Sequence, residues 1–160
     1  MDALKYFFLI AVALILAACQ DTLALRPPAY YEMAFNTYSD GQNAVILDYK
    51  LLSKSAVQFS ADPTSLKAYG GLTNEGIHRA ALYPTDLYIK WLDRETGKEY
   101  SANANLRRTA AEDLTGFTVY PMVFGSHLYI YLISPNRNPN SLNIGPGIAH
   151  GFDTELIYSN

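Results

Sequence analysis

Three segments of this chain alternate apolar and polar residues at a period of two: Tyr31, Met33 and Phe35, then Leu87, Ile89 and Trp91, then Leu128, Ile130 and Leu132. Successive side chains on an extended strand point to opposite faces, so each set lines one face of a strand and needs a second layer to cover it. The pattern argues against a helical bundle, whose apolar residues recur three and four apart. Turn chemistry punctuates the strands. Ser39-Asp40-Gly41-Gln42-Asn43 divides a strand over 30–38 from one over 44–52, because Gly41 tolerates positive φ and Asp40 can bond nearby backbone, and the pair is expected as a β-hairpin. A second hairpin joins 87–92 to 99–106 through Asp93-Arg94-Glu95-Thr96-Gly97-Lys98, with Gly97 where the loop needs a left-handed residue. Phe124-Gly125-Ser126 separates strands over 117–123 and 127–134, and a loop rich in Asn, Pro and Gly over 135–147 leads to a last strand over 151–158.

Between 53 and 84 the periodicity decides little. Ala56-Val57-Gln58-Phe59 reads as a short strand, Asp62-Pro63-Thr64 as a turn and Gly70-Gly71 as an open loop. Thr109-Ala110-Ala111-Glu112 has the spacing of a capping box, which predicts a helix of about two turns ended by Gly116. The expected architecture is mainly antiparallel β, a sandwich with one short helix.

The first nineteen residues follow a different logic. Tyr6 to Ala18 carry no charge, a stretch short of the roughly 20 apolar residues that a spanning helix needs, so it reads as a cleaved secretory signal over 1–18. Leu16-Ala17-Ala18-Cys19 matches the bacterial lipobox, and Cys19 is the only cysteine in the chain. The expectation is a diacylglycerol thioether and an N-acyl lipid on Cys19, with no other cofactor. Acyl chains contribute about 0.8 kcal/mol per buried methylene, enough in sum for durable membrane attachment. Residues 19–29, with Arg26-Pro27-Pro28, read as a tether, and 30–160 as one β-rich domain. Gram-negative lipoproteins, which the segment resembles, keep Asp directly after the cysteine for inner-membrane retention. Here that position is Gln20, which favours the periplasmic face of the outer membrane over the inner membrane.

Removing residues 1–18 takes away Asp2 and Lys5 together, so the formal charge stays at -3. That balance offers no basic field for nucleic acid. With its one cysteine lipidated, the domain has no internal disulfide and is held by packing alone. His78, His127 and His150 are the candidates for proton transfer at neutral pH. No Gly-x-Ser-x-Gly elbow or His-Glu-x-x-His pair accompanies them, and Ser126 and His127, as strand neighbours, are expected on opposite faces. His150 and Asp153 flank the Gly-rich loop, yet two ligands do not make a metal site. Glu95, Glu99, Glu112 and Asp113 fall at turns or at a helix start, where solvated acids belong. The expectation is a protein without catalytic activity or metal.

Pro84-Thr85-Asp86-Leu87-Tyr88-Ile89-Lys90-Trp91 followed by the Asp93 to Tyr100 turn resembles a segment of small proteobacterial lipoproteins, over residues 80–134. Some of these resemble periplasmic immunity proteins encoded beside antibacterial type VI secretion lipase effectors. The resemblance implies a protein partner, a secreted antibacterial effector, and assigns no residue a role.

Tyrosine is abundant, with 13 in the chain. It suits strands, and it suits binding surfaces because it gives contact area at little entropic cost. Tyr129 and Tyr131 oppose the Leu128 face, as Tyr88 and Lys90 oppose the Leu87 face. The candidate partner surface is therefore Tyr88, Lys90, Tyr129 and Tyr131 with Asn136, Arg137 and Asn138 from the adjoining loop. The function expected is a periplasm-facing, non-catalytic binding module that blocks a toxic effector or hydrolase. A structural or assembly lipoprotein of an envelope or secretion machine is the alternative, and a glycan binder with tyrosines stacked on sugar rings a third.

Overall fold

The structure is a computed structural model and describes residues 29–53, 56–81, 84–106, 114–142 and 145–160. The signal segment, Cys19, nearly all of the tether and most of the helix expected from Thr109 lie outside the described residues. Among the described residues nine strands form: β1 (Ala29–Asn36), β2 (Ala44–Ser53), β3 (Ala56–Ser60), β4 (Asn74–Ala81), β5 (Asp86–Asp93), β6 (Lys98–Asn105), β7 (Thr118–Phe124), β8 (His127–Arg137) and β9 (Phe152–Ser159). One short helix, α1 (Pro63–Tyr69), and a single 3-10 turn (Gly147–Ala149) complete the described elements.

The strands divide into two sheets, β4-β1-β7-β8-β9 and β3-β2-β5-β6, packed face to face as a β-sandwich. The alternating residues meet between them. Tyr31, Met33, Phe35, Leu128, Ile130 and Leu132 from the first sheet and Tyr49, Leu51, Leu87, Ile89 and Trp91 from the second form one buried cluster. Edge-to-face ring pairs cross the interface, Tyr31 with Phe59 at 6.1 Å and Phe35 with Tyr49 at 5.9 Å between centroids. Such pairs contribute about 0.5–1.5 kcal/mol beyond the area they bury.

Four expectations change. The segments on either side of Gly41 are not a hairpin: β1 pairs with β4 and β7, whereas β2 pairs with β3 and β5. The turn over 37–43 carries the chain from one sheet to the other, with Gly41 at φ 65° and Asn43 at φ 45°. An apolar face can be buried against a partner in the opposite sheet as well as in its own, and the turn residues suit both. Second, the sheets are not wholly antiparallel, because β1 runs parallel to β7 with Glu32 opposite Thr118. Third, Asp62-Pro63-Thr64 starts α1. The Asp62 carboxylate accepts from the backbone N–H groups of Thr64 and Ser65, each at 3.1 Å, and Gly70 ends the helix at φ 67°. The Ser65 hydroxyl and those two N–H groups hold the Asp62 carboxyl below its usual pKa. Fourth, β8 continues through Pro135 to Arg137, where a loop was expected, and the ladder to β9 shifts register between Ile133 and Arg137. Proline is tolerated inside a strand where the ladder is interrupted, as it is between Ile133 and Arg137.

The hairpin of β5 and β6 forms as expected, with Asp93 opposite Lys98 and Gly97 at φ 69°. Asp93 is buried and its carboxylate accepts from the Glu95 N–H at 2.8 Å and the Thr96 hydroxyl at 3.1 Å, closing the turn.

The sandwich has two distinct ends. At the near end β1 begins, and there Leu106 N–H meets Thr85 O and Asn138 N–H meets Gly151 O, both at 2.8 Å. At the far end lie the turn over 37–43, the β5–β6 turn, the β7–β8 turn and Asn160. Arg94 N–H donates to Asn43 O at 2.9 Å, Val123 N–H to Gln42 Oε1 at 2.8 Å and the Trp91 indole N–H to Gly125 O at 2.8 Å, which joins the two sheets there.

Candidate functional site

The outer face of the five-stranded sheet is not bare. Tyr120, Met122 and Ile133 point away from the main core and form a second buried cluster with Ala149, edged by Tyr129, Tyr131 and Phe152. The cover is the loop between β8 and β9. Its ends meet at the near end through Asn138 and Gly151, and its middle crosses the sheet towards the far end, the geometry of an Ω-loop. Gly145, at φ 113°, passes so close to the Tyr131 ring that a Cβ there would stand 3.0 Å from it.

A latch fixes the crossing. Asp40, in the turn over 37–43, accepts from the Tyr120 hydroxyl at 2.7 Å, the Gln42 amide at 3.2 Å and the Gly147 N–H at 3.0 Å. Burial, then the bond to the Asp40 carboxylate, pushes the Tyr120 hydroxyl pKa up. At the other end of the loop the Ser141 hydroxyl donates to Phe152 O at 2.7 Å and Asn138 Nδ2 to Asp153 Oδ1 at 2.9 Å.

Against this frame the seven residues expected at a partner surface separate. Tyr88 and Lys90 lie on the outer face of the four-stranded sheet, on the opposite side of the molecule from Tyr129 and Tyr131, because each pair faces away from the core between the sheets. They do not form one patch. Lys90 is paired with Glu99 at 2.6 Å, which raises its pKa, and Lys50 sits 5.7 Å over the Tyr88 ring and 3.9 Å from Asp48. Exposed ion pairs of this kind are screened by solvent and give a partner no desolvated anchor. Asn136 and Arg137 are exposed at the near end of β8, and Asn138 is committed to closing the loop.

Tyr129 and Tyr131 do belong together, on a row that sequence alternation alone left incomplete. At the far end Phe124 packs edge-on to Tyr129 at 6.3 Å, with the His127 ring 6.5 Å from Tyr129. Tyr131 follows on the same face, and it lines a cleft of about 350 Å³ together with Asn138, Asn140, Ser141, Leu142, Asp153, Thr154 and Leu156. Leu142 is 76% exposed, Leu156 49% and Phe124 42%, large apolar side chains left in water around half-buried tyrosines. Apolar anchors ringed by Asn, Ser and Asp have the composition of a protein-binding patch, aromatic at the centre and polar at the rim. The signal for Phe124 and Leu156 was available in the alternation of their strands. Leu142 carried none, since its position depends on how the loop folds back.

Of the three histidines, His78 has a side chain that lies outside the described ones. His127 Nδ1 lies 2.7 Å from Asn160 O, and His150 is exposed at the end of the 3-10 turn. Asp153 accepts from the Asn138 side-chain amide. Among the described residues no group of three or more His, Cys, Asp and Glu side chains is placed to hold a metal. No protein-family model matches the chain, and neither does any curated protein or any solved structure.

Proposed function

We propose that this chain is a membrane-anchored, periplasm-facing lipoprotein that works as a non-catalytic binding module, capturing and blocking a protein partner such as a secreted antibacterial effector or hydrolase. The observation that carries the proposal is the row Phe124, Tyr129, Tyr131, Leu142 and Leu156 on the outer face of the five-stranded sheet. These residues place apolar area in water at a cost of about 25 cal/mol per Å², which a partner that covers them recovers. The latch at Asp40 and the closed loop base hold the row in one arrangement before any partner arrives, which lowers the entropy lost on binding. The lipobox at Cys19 supplies the attachment and the compartment.

The test is protection in cells. The effector or hydrolase encoded by the adjacent gene is directed to the periplasm with and without this protein. Wild-type chain restores growth, and a Tyr129→Ala, Leu156→Ser double variant with unchanged thermal stability does not. Growth inhibition that the wild-type chain leaves unrelieved, or protection that the double variant retains in full, overturns the proposal. A partner held in a permanent envelope complex irrespective of any toxin marks the assembly role instead.

A further inference from the structure

The path of the chain into β1 fixes more than an attachment point. We infer that, with Cys19 acylated, the near end of the sandwich faces the bilayer and the far end faces the aqueous compartment, so a soluble protein partner meets Phe124 and Tyr129 while Asn136 and Arg137 are turned to the lipid. The inference rests on the lipid anchor of the proposed function. Residues 20–28 separate Cys19 from β1, a length that spans at most about 30 Å when fully extended. β1 has eight residues and starts at the near end, so the sandwich is about 26 Å tall along its strands. With the near end down, that stretch reaches the bilayer with slack to spare. In the inverted arrangement it has to run the whole height of the sandwich before meeting the membrane, drawn almost straight, and most of its conformational freedom is lost.

Two consequences separate this arrangement from its inverse. The three far-end turns, tied together by Arg94 to Asn43 and by Trp91 to Gly125, become the surface most distant from the membrane. The aromatic pair of exposed Phe124 and half-buried Tyr129 sits at their border, at the distal end of the row on the outer face. A folded partner thus docks on the upper part of that face, where the bilayer does not obstruct it, and the cleft beside Tyr131 is the lower limit of its footprint.

Energy transfer measures the orientation directly. Acylated full-length protein is reconstituted into vesicles of phosphatidylethanolamine and phosphatidylglycerol that carry an acceptor dye on the lipid headgroups. The Cys19 sulfur is consumed by its thioether, so a single new thiol takes the donor dye: Ser126→Cys at the far end in one variant and Asn136→Cys at the near end in another. Both positions are exposed, and they lie about 30 Å apart along β8. The expected result is stronger transfer from position 136 than from 126. Equal or reversed transfer from acylated, vesicle-bound protein overturns the orientation and leaves the anchor standing. An unmodified Cys19 in protein that does not float with vesicles overturns the anchor and the orientation together.

Discussion

The indole N–H of Trp91 donates to the backbone carbonyl of Gly125 at 2.8 Å, a bond from the core of one sheet to the hairpin tip of the other. Trp91 is 1% exposed, so the contact ties the buried layer to the far-end surface. Trp91→Phe removes the bond and leaves part of the indole volume empty, and it is expected to destabilise the fold by about 2–4 kcal/mol. Urea unfolding followed by circular dichroism measures this, since the variant has no other tryptophan to report by fluorescence. A loss under about 0.5 kcal/mol means that the two sheets do not depend on this bond.

Asp40 and Tyr120 act as one unit, and their coupling is measurable. Tyr120→Phe loses one hydrogen bond to a charged acceptor, and Asp40→Ala also frees the Gly147 N–H and leaves the proton of a buried hydroxyl without its carboxylate acceptor. The expected losses are about 1.5–3 kcal/mol for each variant, with the double variant well short of their sum. Additive losses in the double-mutant cycle rule out the latch. In Asp40→Ala, amide exchange at 145–149 is expected to quicken before the rest of the sheet changes.

Three tyrosines set an alkaline limit. Burial raises the hydroxyl pKa of Tyr31, of Tyr49, where the Glu75 carboxylate adds to it, and of Tyr120. The unfolded chain releases these protons near pH 10 while the folded one keeps them, so above that pH the unfolded state binds fewer protons and stability falls. The contribution is complete below about pH 10 and decays above it by about 4 kcal/mol per pH unit for the three together. Tyrosinate absorbance and circular dichroism, followed together, should show the last tyrosines ionising as the fold is lost. Ionisation of every tyrosine in a folded protein counts against the burial described.

Neighbouring glycines make a clean contrast. A Cβ on Gly70 meets nothing within 4 Å, while on Gly71, at φ 125°, it overlaps Val45 Cγ1 and approaches Ile46 O to 2.9 Å. Gly70→Ala is expected to cost about 1 kcal/mol through its left-handed backbone, and Gly71→Ala at least twice that, because backbone has to move. Equal melting temperatures for the two variants sink the distinction.

The parts of the fold legible in the sequence were those in which local chemistry had one outcome. Leu87, Ile89 and Trp91 define an inner face wherever their strand goes, and Asp93 with Gly97 closes only a tight turn. The turn at Gly41 was open to two outcomes, because the residues that reverse a strand within a sheet also send it across a sandwich. Asp62-Pro63 likewise starts a turn or a helix, and the choice falls to Gly70, eight positions from Asp62, and to Leu66 packing on the core. The candidate surface was half visible for the same reason: alternation placed Tyr129 and Tyr131 outside the core, as it did Tyr88 and Lys90, without saying that two different sheets carry them.

The parallel pairing of β1 with β7 has a bearing on when this chain can fold. Thr118 donates its hydroxyl to the Glu32 carboxylate across 86 positions of sequence, and β7 lies between β1 and the β8–β9 pair. The four-stranded sheet has all its strands by residue 105, β2 pairing with β3 and β5, and β5 with β6. The five-stranded one gains its central contact only after residue 118 has emerged. Such distant pairing slows folding. During synthesis the first strand to appear, with Tyr31, Met33 and Phe35 along one side, gains β4 along one edge well before β7 can cover the other. Its exposed edge in that interval is a place for a chaperone to hold, or for aggregation to begin when none does.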